Sequence, residues 1–317
     1  MPLPDRVAGV HVQAQTVPEA VGLIRKADQA NVFSVWLTSG GLGPDSLTTL
    51  AVAGSQTQQI QLGTSIAVTF SRHPIAMIQQ AIAVDQVAPD RFRLGIGTSH
   101  RPTIENMYGL PFERPLQQLR EYATILEQAF HGGKIDFTGK RFSVHGQIPN
   151  PPAIPVYLSA LRPASYELAG EVADGAISWV SPSKYLHDVA KPALLAGAAK
   201  RGQGTTPRLV GHAFGLVSDD ETPVKQLGHE RLTFYTRLPF YQEMFAAAGY
   251  PEARNGTISK ELVEDLVLTG NEAKVTAGIR RFLDAGCAEL IVSLLPTGPN
   301  PEVAVDRTLK LLGQRGF

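Results

Sequence analysis

A short apolar run followed by a helical pattern recurs eight times along this chain, and that rhythm restricts the fold more than any other feature. The spacing predicts strands over Val7–Val12, Val32–Leu37, Ile60–Val68, Phe92–Ile96, Pro155–Ser159, Gly175–Val180, Arg208–Val217 and Leu290–Leu295. Helical patterns fill the intervals. Several open on a proline (Pro18, Pro74, Pro163, Pro182, Pro301), where the missing N–H costs nothing because the first helical amides have no partner anyway. In the helix opened by Pro74, Ile75, Ile78 and Ile82 recur on one face at helical spacing. Short, mostly apolar strands alternating with helices point to a parallel sheet covered on its faces by helices. Eight such units favour closure into a (β/α)8 TIM barrel over an open doubly wound sheet, which the pattern alone also admits. At 317 residues the chain has the usual size for such a barrel with insertions.

Two stretches break the rhythm. Gly132-Gly133, the short runs near Ile135–Phe137 and Arg141–Val144, and Asn150-Pro151-Pro152 predict a small hairpin insertion after the fourth strand. About fifty residues, from Asp219 to Gly270, intervene after the seventh strand. They carry Phe234, Tyr235, Phe240, Tyr241 and Phe245, which suit either an amphipathic packing pair or a lid over the site. No repeat and no linker divides the chain, so residues 1–317 are expected to form a single barrel domain.

Charge excludes some partners. The 29 basic and 29 acidic residues cancel, leaving no basic footprint for nucleic acid or an anionic membrane surface. No apolar run approaches the ~20 residues of a membrane helix, and the first ten residues lack a leader pattern, so a cytoplasmic chain is expected. Cys287, the single cysteine, cannot form an internal disulfide and reads as a packed core residue. Hydrolase and metal signatures are missing: there is no Gly-x-Ser-x-Gly elbow, no His-Glu-x-x-His and no Walker A loop, and no metal site is expected. Gly95-Ile96-Gly97 lacks the third glycine of a dinucleotide fingerprint and says only that backbone comes close to something.

In a barrel, working residues sit at the C-terminal strand ends and in the loops that follow. That rule selects His11, Thr38-Ser39, Ser65 to Arg72, Gly97 to Arg101, Ser159 to Arg162, Trp179 to Ser181, and Ser293. Within this set, His11, Thr38, Ser39 and Trp179 are expected to face a substrate pocket. Trp179 reads equally as core packing.

Three stretches in register carry a family resemblance. Leu62-Gly63-Thr64-Ser65-Ile66 with Ser71-Arg72-His73-Pro74, then Asp85 to Gly97 with Asp90-Arg91-Phe92-Arg93-Leu94-Gly95-Ile96-Gly97, then Pro155 to Gly175 resemble the luciferase-like monooxygenases. Gly97-Thr98-Ser99-His100 and the run Tyr108 to Tyr122 are most similar to the branch that uses coenzyme F420.

The resemblance implies a (β/α)8 barrel, a homodimer, and a deazaflavin (F420) or FMN ring at the strand C-termini, with a small-molecule substrate. It implies a non-proline cis peptide at Ser65-Ile66 behind the ring, with Thr64, Ser65 and Ile66 forming that wall and His73 close by. It places Gly97, Thr98 and Ser99 at the ring, the last two toward its pyrimidine edge. Ser159, Ala160, Leu161 and Arg162 would hold the cofactor tail near its phosphate, since they precede a helix N-terminus and Arg162 adds charge. The alternatives from the residues alone are helix capping by Ser159 and a backbone bond from His73. His100 could face substrate and move a proton, although a lone histidine is often structural.

The sugar-phosphate dehydrogenases of the resembled family carry an acidic–histidine pair after strand two and a glutamate after strand four. Here those places read Thr38-Ser39 and Thr98-Ser99-His100. The expected activity is therefore hydride transfer between deazaflavin carbon 5 and a small organic substrate, preferably reduction of an activated C=C or C=N. An FMNH2-dependent monooxygenase and a non-catalytic flavin- or F420-binding protein are the alternatives.

Overall fold

The computed structural model describes residues 3–202, 206–314 and 316–317. Met1 and Pro2, where the leader reading begins, lie outside them. Among the described residues twelve strands are formed: β1 Val7–His11, β2 Ser34–Leu37, β3 Gln61–Thr64, β4 Ala67–Val68, β5 Phe92–Gly97, β6 Lys134–Thr138, β7 Ser143–Gln147, β8 Val156–Ser159, β9 Gly175–Ile177, β10 Arg208–Val217, β11 Val267–Gly270 and β12 Glu289–Leu294. Eight of them close a parallel barrel in the order β1-β2-β3-β5-β8-β9-β10-β12, with β12 returning to pair with β1. All eight expected strands are present, and the alternation that predicted them is what places a helix behind each one.

The sequence reading differs from the structure in four places. The third run is one stretch in sequence but two strands in space, because β3 ends at Thr64, the Ser65–Ile66 peptide is cis, and β4 then pairs with β5. The helix Pro74–Val87 buries Met77, Ile78, Ala81 and Val84, while Ile75 is 44% exposed and Ile82 is only partly buried. The buried stripe runs through Pro74, Met77, Ile78, Ala81 and Val84, displaced by one residue from the face that Ile75 and Ile82 mark. The third difference is β11, which lies in the expected loop region and extends the sheet outside the barrel by pairing with Phe214–Val217 of β10. The fourth is in the sixth unit, where β9 stops at Ile177 and Val180 takes φ 43°. The hairpin is formed as predicted, β6 and β7 pairing antiparallel through Asp136 and His145.

Two layers of core result. Most apolar side chains pack between strands and helices. A second cluster, Trp36, Tyr157, Ile177, Val210 and Ile291, fills the barrel interior, with Trp36 and Tyr157 edge to face at 6.0 Å. Beside it lies a fully buried ion pair. Arg93 Nη1 meets Glu289 Oε2 at 2.5 Å, and Glu289 Oε1 accepts from Ser34 Oγ at 2.5 Å and Trp36 Nε1 at 2.7 Å. Burial alone would raise the Glu289 carboxyl; the Arg93 guanidinium, with Ser34 and Trp36, offsets that and holds it below its ordinary range. Cys287 is buried in the outer core, and burial pushes its thiol up to about 12, which makes it inert at neutral pH.

Candidate functional site

The C-terminal ends of β1, β2, β3, β5, β8 and β9 open on one mouth, and they carry most of the residues selected from sequence. Around the Ser65–Ile66 peptide every backbone group that the neighbouring strand can reach is fixed. Ser65 N–H donates to Leu37 O at 2.7 Å, the Ser39 amide donates to Ile66 O at 3.0 Å, and the Thr38 hydroxyl donates to Ser65 O at 2.7 Å. The Ser65 hydroxyl is buried and has no hydrogen-bond partner among the described residues. A buried orphan of this kind calls for a partner from outside the chain.

Thr64 does not present its hydroxyl to the mouth. It is fully buried, donating to Gly95 O at 2.7 Å and accepting from Gly95 N at 2.9 Å. This is also what the Gly-x-Gly pair accommodates. A Cβ on Gly95 would lie 1.9 Å from Thr64 O, and one on Gly97 would lie 2.3 Å from Ser159 Oγ and 3.0 Å from Ile66 Cγ1. The close approach is of protein to protein, and it draws Ile66, Gly97 and Ser159 together at the floor of the mouth.

Beyond Gly97 the chain turns through Ser99 at φ 59° into His100. Thr98 and Ser99 are half-buried there. The His100 ring stands 6.1 Å from Tyr241 and 6.4 Å from Phe234, both from the long segment after β10. Its nitrogens have no protein hydrogen-bond partner among the described residues, and burial lowers its pKa. The long segment thus reaches the mouth with its aromatic residues. Tyr235 packs 4.9 Å from Tyr241 and accepts the Trp179 indole N–H at 2.7 Å, while Phe234 and Phe240 are 55% and 65% exposed at its surface.

Trp179 lies flat on His212 (3.6 Å, 14°) and meets His11 edge-on at 5.0 Å. His11 is buried, with both ring nitrogens engaged, Nε2 with Thr38 and Nδ1 with Ser293 at 3.0 Å each. Burial lowers its pKa to about 4, so it is neutral. Trp179 therefore separates His11 from open solvent. Ser39 is engaged by the Ser46 hydroxyl.

At β8 the loop Ser159-Ala160-Leu161-Arg162 leads into the helix Pro163–Val172. Ser159 does not cap that helix. Ser165 does, its hydroxyl accepting from the Leu161 and Arg162 amides at 3.0 Å each. Those two amides are taken, and the exposed Arg162 guanidinium is the cation the loop offers. Ala160 is buried against the core. His73 is elsewhere: its Nδ1 accepts from Ile75 N at 3.2 Å, its ring packs on Phe142, and it lines a separate hollow of about 330 Å³ with Phe70, Arg72, Gln118 and Arg141. None of the other residues chosen for the cofactor lines that hollow.

Sequence reasoning missed His212. It lies mid-strand in β10 and carries no motif; only the closed barrel brings it to Ser293 and Trp179. Glu127, His131 and Asp174 also gather, with one ligand atom of each within 4.8 Å of the others. Arg201 already occupies Glu127 at 2.8 Å, which makes this an ion-pair cluster at the N-terminal end of β9. Among the described residues no helix is long and apolar enough to cross a membrane.

With this geometry in place, comparison with known proteins is specific. Residues 2–289 match the family described as luciferase-like monooxygenase. The chain belongs to that family. An F420-dependent glucose-6-phosphate dehydrogenase of Nocardia farcinica is 27% identical over 275 residues, covering 82% of this chain and 80% of the relative. In structure, the F420-dependent tetrahydromethanopterin reductase of Methanopyrus kandleri superposes with a TM-score of 0.79 at 20% identity, covering 98% of each chain. The oxygenating constituent of 3,6-diketocamphane monooxygenase from Pseudomonas putida, in complex with FMN, superposes at 0.74 with 18% identity, covering 97% of each chain. These two likenesses show the shared barrel.

Proposed function

We propose that this chain is an F420-dependent oxidoreductase that moves a hydride between the deazaflavin and a small organic substrate, working preferably as a reductase of an activated C=C or C=N. The observation that carries the reading is a mouth without charge at its floor. The strand ends present Thr38-Ser39 and Thr98-Ser99-His100, and the histidines His11 and His212 behind them are neutral. With no carboxylate among them these strand ends are poorer in acid/base groups, and hydride delivery to a polarised double bond asks less of them than the oxidation of an alcohol. The F420-dependent relatives support the choice of cofactor.

The residues fit a planar tricyclic ring. The orphaned Ser65 hydroxyl offers it a polar partner, and Ile66 is the apolar surface against which it would rest. Thr98 and Ser99 would meet its polar edge, and Arg162 would pair with its phosphate. When bound, F420 supplies a two-electron hydride carrier that does not activate oxygen. His100 would touch substrate between Phe234 and Tyr241, and the aromatic segment would exclude water above it.

Titration of the purified protein with F420 and with FMN, followed by ligand fluorescence, tests the reading. Tight binding of F420 with weak binding of FMN is expected, followed by turnover on enones or imines. Preference for FMN with oxygen uptake would make the protein a reduced-flavin monooxygenase instead. Binding of either without turnover on any substrate would make it a carrier.

A further inference from the structure

The hydrogen bonds behind the mouth form one continuous file. The Val180 amide meets His212 Nδ1 at 3.4 Å, His212 Nε2 meets Ser293 Oγ at 2.7 Å, and Ser293 Oγ meets His11 Nδ1 at 3.0 Å. His11 Nε2 meets Thr38 Oγ1 at 3.0 Å, and Thr38 Oγ1 meets the Ser65 carbonyl at 2.7 Å. The file follows the barrel order β9, β10, β12, β1, β2, β3, with His212, Ser293 and His11 in their strands and Val180, Thr38 and Ser65 just beyond the C-terminal ends of theirs.

Its direction is fixed by its ends. A backbone amide can only donate and a carbonyl can only accept. Because Ser65 O accepts, Thr38 must donate to it and must itself accept from His11, so His11 carries its hydrogen on Nε2. His11 Nδ1 then accepts from the Ser293 hydroxyl, whose oxygen is left to accept from His212 Nε2–H. Starting at the other end, the Val180 amide makes His212 Nδ1 an acceptor and puts the hydrogen on Nε2. Both ends dictate the same order, but each end alone is a soft constraint, since the Thr38 hydroxyl can rotate and the Val180 contact is 3.4 Å long. Ser293, donating to one ring and accepting from the other, is the link that makes them enforce one another.

We propose that Ser293 is a positioning residue that locks His11 and His212 as neutral Nε2–H tautomers and, through Thr38, holds the Ser65 carbonyl at the floor of the mouth. The part of this statement that concerns the ring rests on the function proposed above. The tautomer lock does not. The burial of the file agrees with it: His11, His212 and Ser293 are 4%, 0% and 2% exposed. An added proton on either ring would turn an N–H against the Ser293 hydroxyl or the Val180 amide. The rings facing the two histidines are each other, Phe214 and Trp179, whose indole covers His212 and whose N–H is spent on Tyr235, and among the described residues no carboxylate is hydrogen-bonded to either ring. Burial depresses both pKa values, and the nearby His11 ring further lowers that of His212. The file begins at Val180, a β-branched residue held at φ 43°, a conformation such residues avoid. Strain of this kind persists only where the surrounding structure enforces it.

The test is the imidazole nitrogen spectrum of the ligand-free, histidine-labelled protein. Two histidines are expected to show a pyridine-like Nδ1 and a pyrrole-like Nε2, unchanged between pH 5.5 and 8.5. In Ser293→Ala at least one of them should become a tautomer mixture or titrate; Ser293→Thr, which keeps the hydroxyl, should retain the signature. F420 affinity should fall by about tenfold in Ser293→Ala, as for the loss of one buried hydrogen bond. Thr38→Val should lose as much, and the double variant no more than the larger single loss. Nδ1–H or doubly protonated His11 or His212 in the wild type would overturn the lock, and so would a Ser293→Ala protein with unaltered tautomers. If Ser293→Ala does not fold, the wild-type spectrum and Thr38→Val decide. A wild type with the expected spectrum and no affinity for F420 would leave the lock standing and remove the proposed function.

Discussion

Replacing Glu289 with Gln tests the barrel interior with almost no change of shape. The side chain keeps an oxygen for the Ser34 and Trp36 donors, but it loses the charge opposite Arg93 and turns an NH2 toward the guanidinium. Arg93 is 1% exposed and pairs with no other carboxylate among the described residues, so its charge would be left buried and unpaired. Breaking a buried pair from one side costs about 3–5 kcal/mol. Unfolding entropy of roughly 2.1 cal/mol/K per residue comes to about 0.7 kcal/mol/K over this chain, so Tm should fall by roughly 4–8 °C. Calorimetry and circular-dichroism melts measure it. The combined Arg93→Met and Glu289→Leu replacement should recover most of the loss, since Trp36 Nε1 still has Ser34 Oγ at 3.1 Å. A fall of less than about 1 °C for Glu289→Gln would refute the reasoning, because the guanidinium would then be finding solvent or another partner.

Two further outcomes follow from the site and the ion pairs. Arg162→Ala should weaken F420 binding about tenfold or more, the loss of a charge-assisted bond to phosphate; unchanged affinity would move the phosphate site away from the β8 loop. Glu127 has its pKa raised to about 7 by burial first and Asp174 second, against the pull of Arg201. Its folded value lies above the unfolded one, so the folded state holds the proton more tightly, and stability from this group declines as pH rises from about 4.5 to about 7. The decline is at most roughly 3 kcal/mol, and Glu127→Gln should remove it from denaturation midpoints measured between pH 5 and 8. An identical slope in the variant would assign the pH dependence to other groups.

The alternation of apolar runs with helical patterns was enough to show eight strand–helix units and to favour a closed barrel over an open sheet. Strand periodicity and helix punctuation are local properties, and an eight-unit parallel barrel is what they add up to. The positions of Ser65, Gly97, Ser159, Thr38 and Trp179 at one end followed from that architecture, since a strand's direction fixes which end faces the loops. What each side chain does there was not local. Thr64 and Ser65 are neighbours in sequence, yet one is spent on Gly95 and the other is left without a partner. His73 reads as a site residue beside Arg72 but is turned to the Ile75 amide. His11, His212 and Ser293 lie up to 282 residues apart and carry no shared motif; closing β12 onto β1 and β10 brings them within hydrogen-bond reach. The amino-acid pattern by itself determined the eight strand–helix units and, once they close, the end at which the loops after the strands gather. Only the tertiary structure decided which polar groups are satisfied there and in which direction their hydrogens run, because a hydrogen bond depends on where two atoms meet in space.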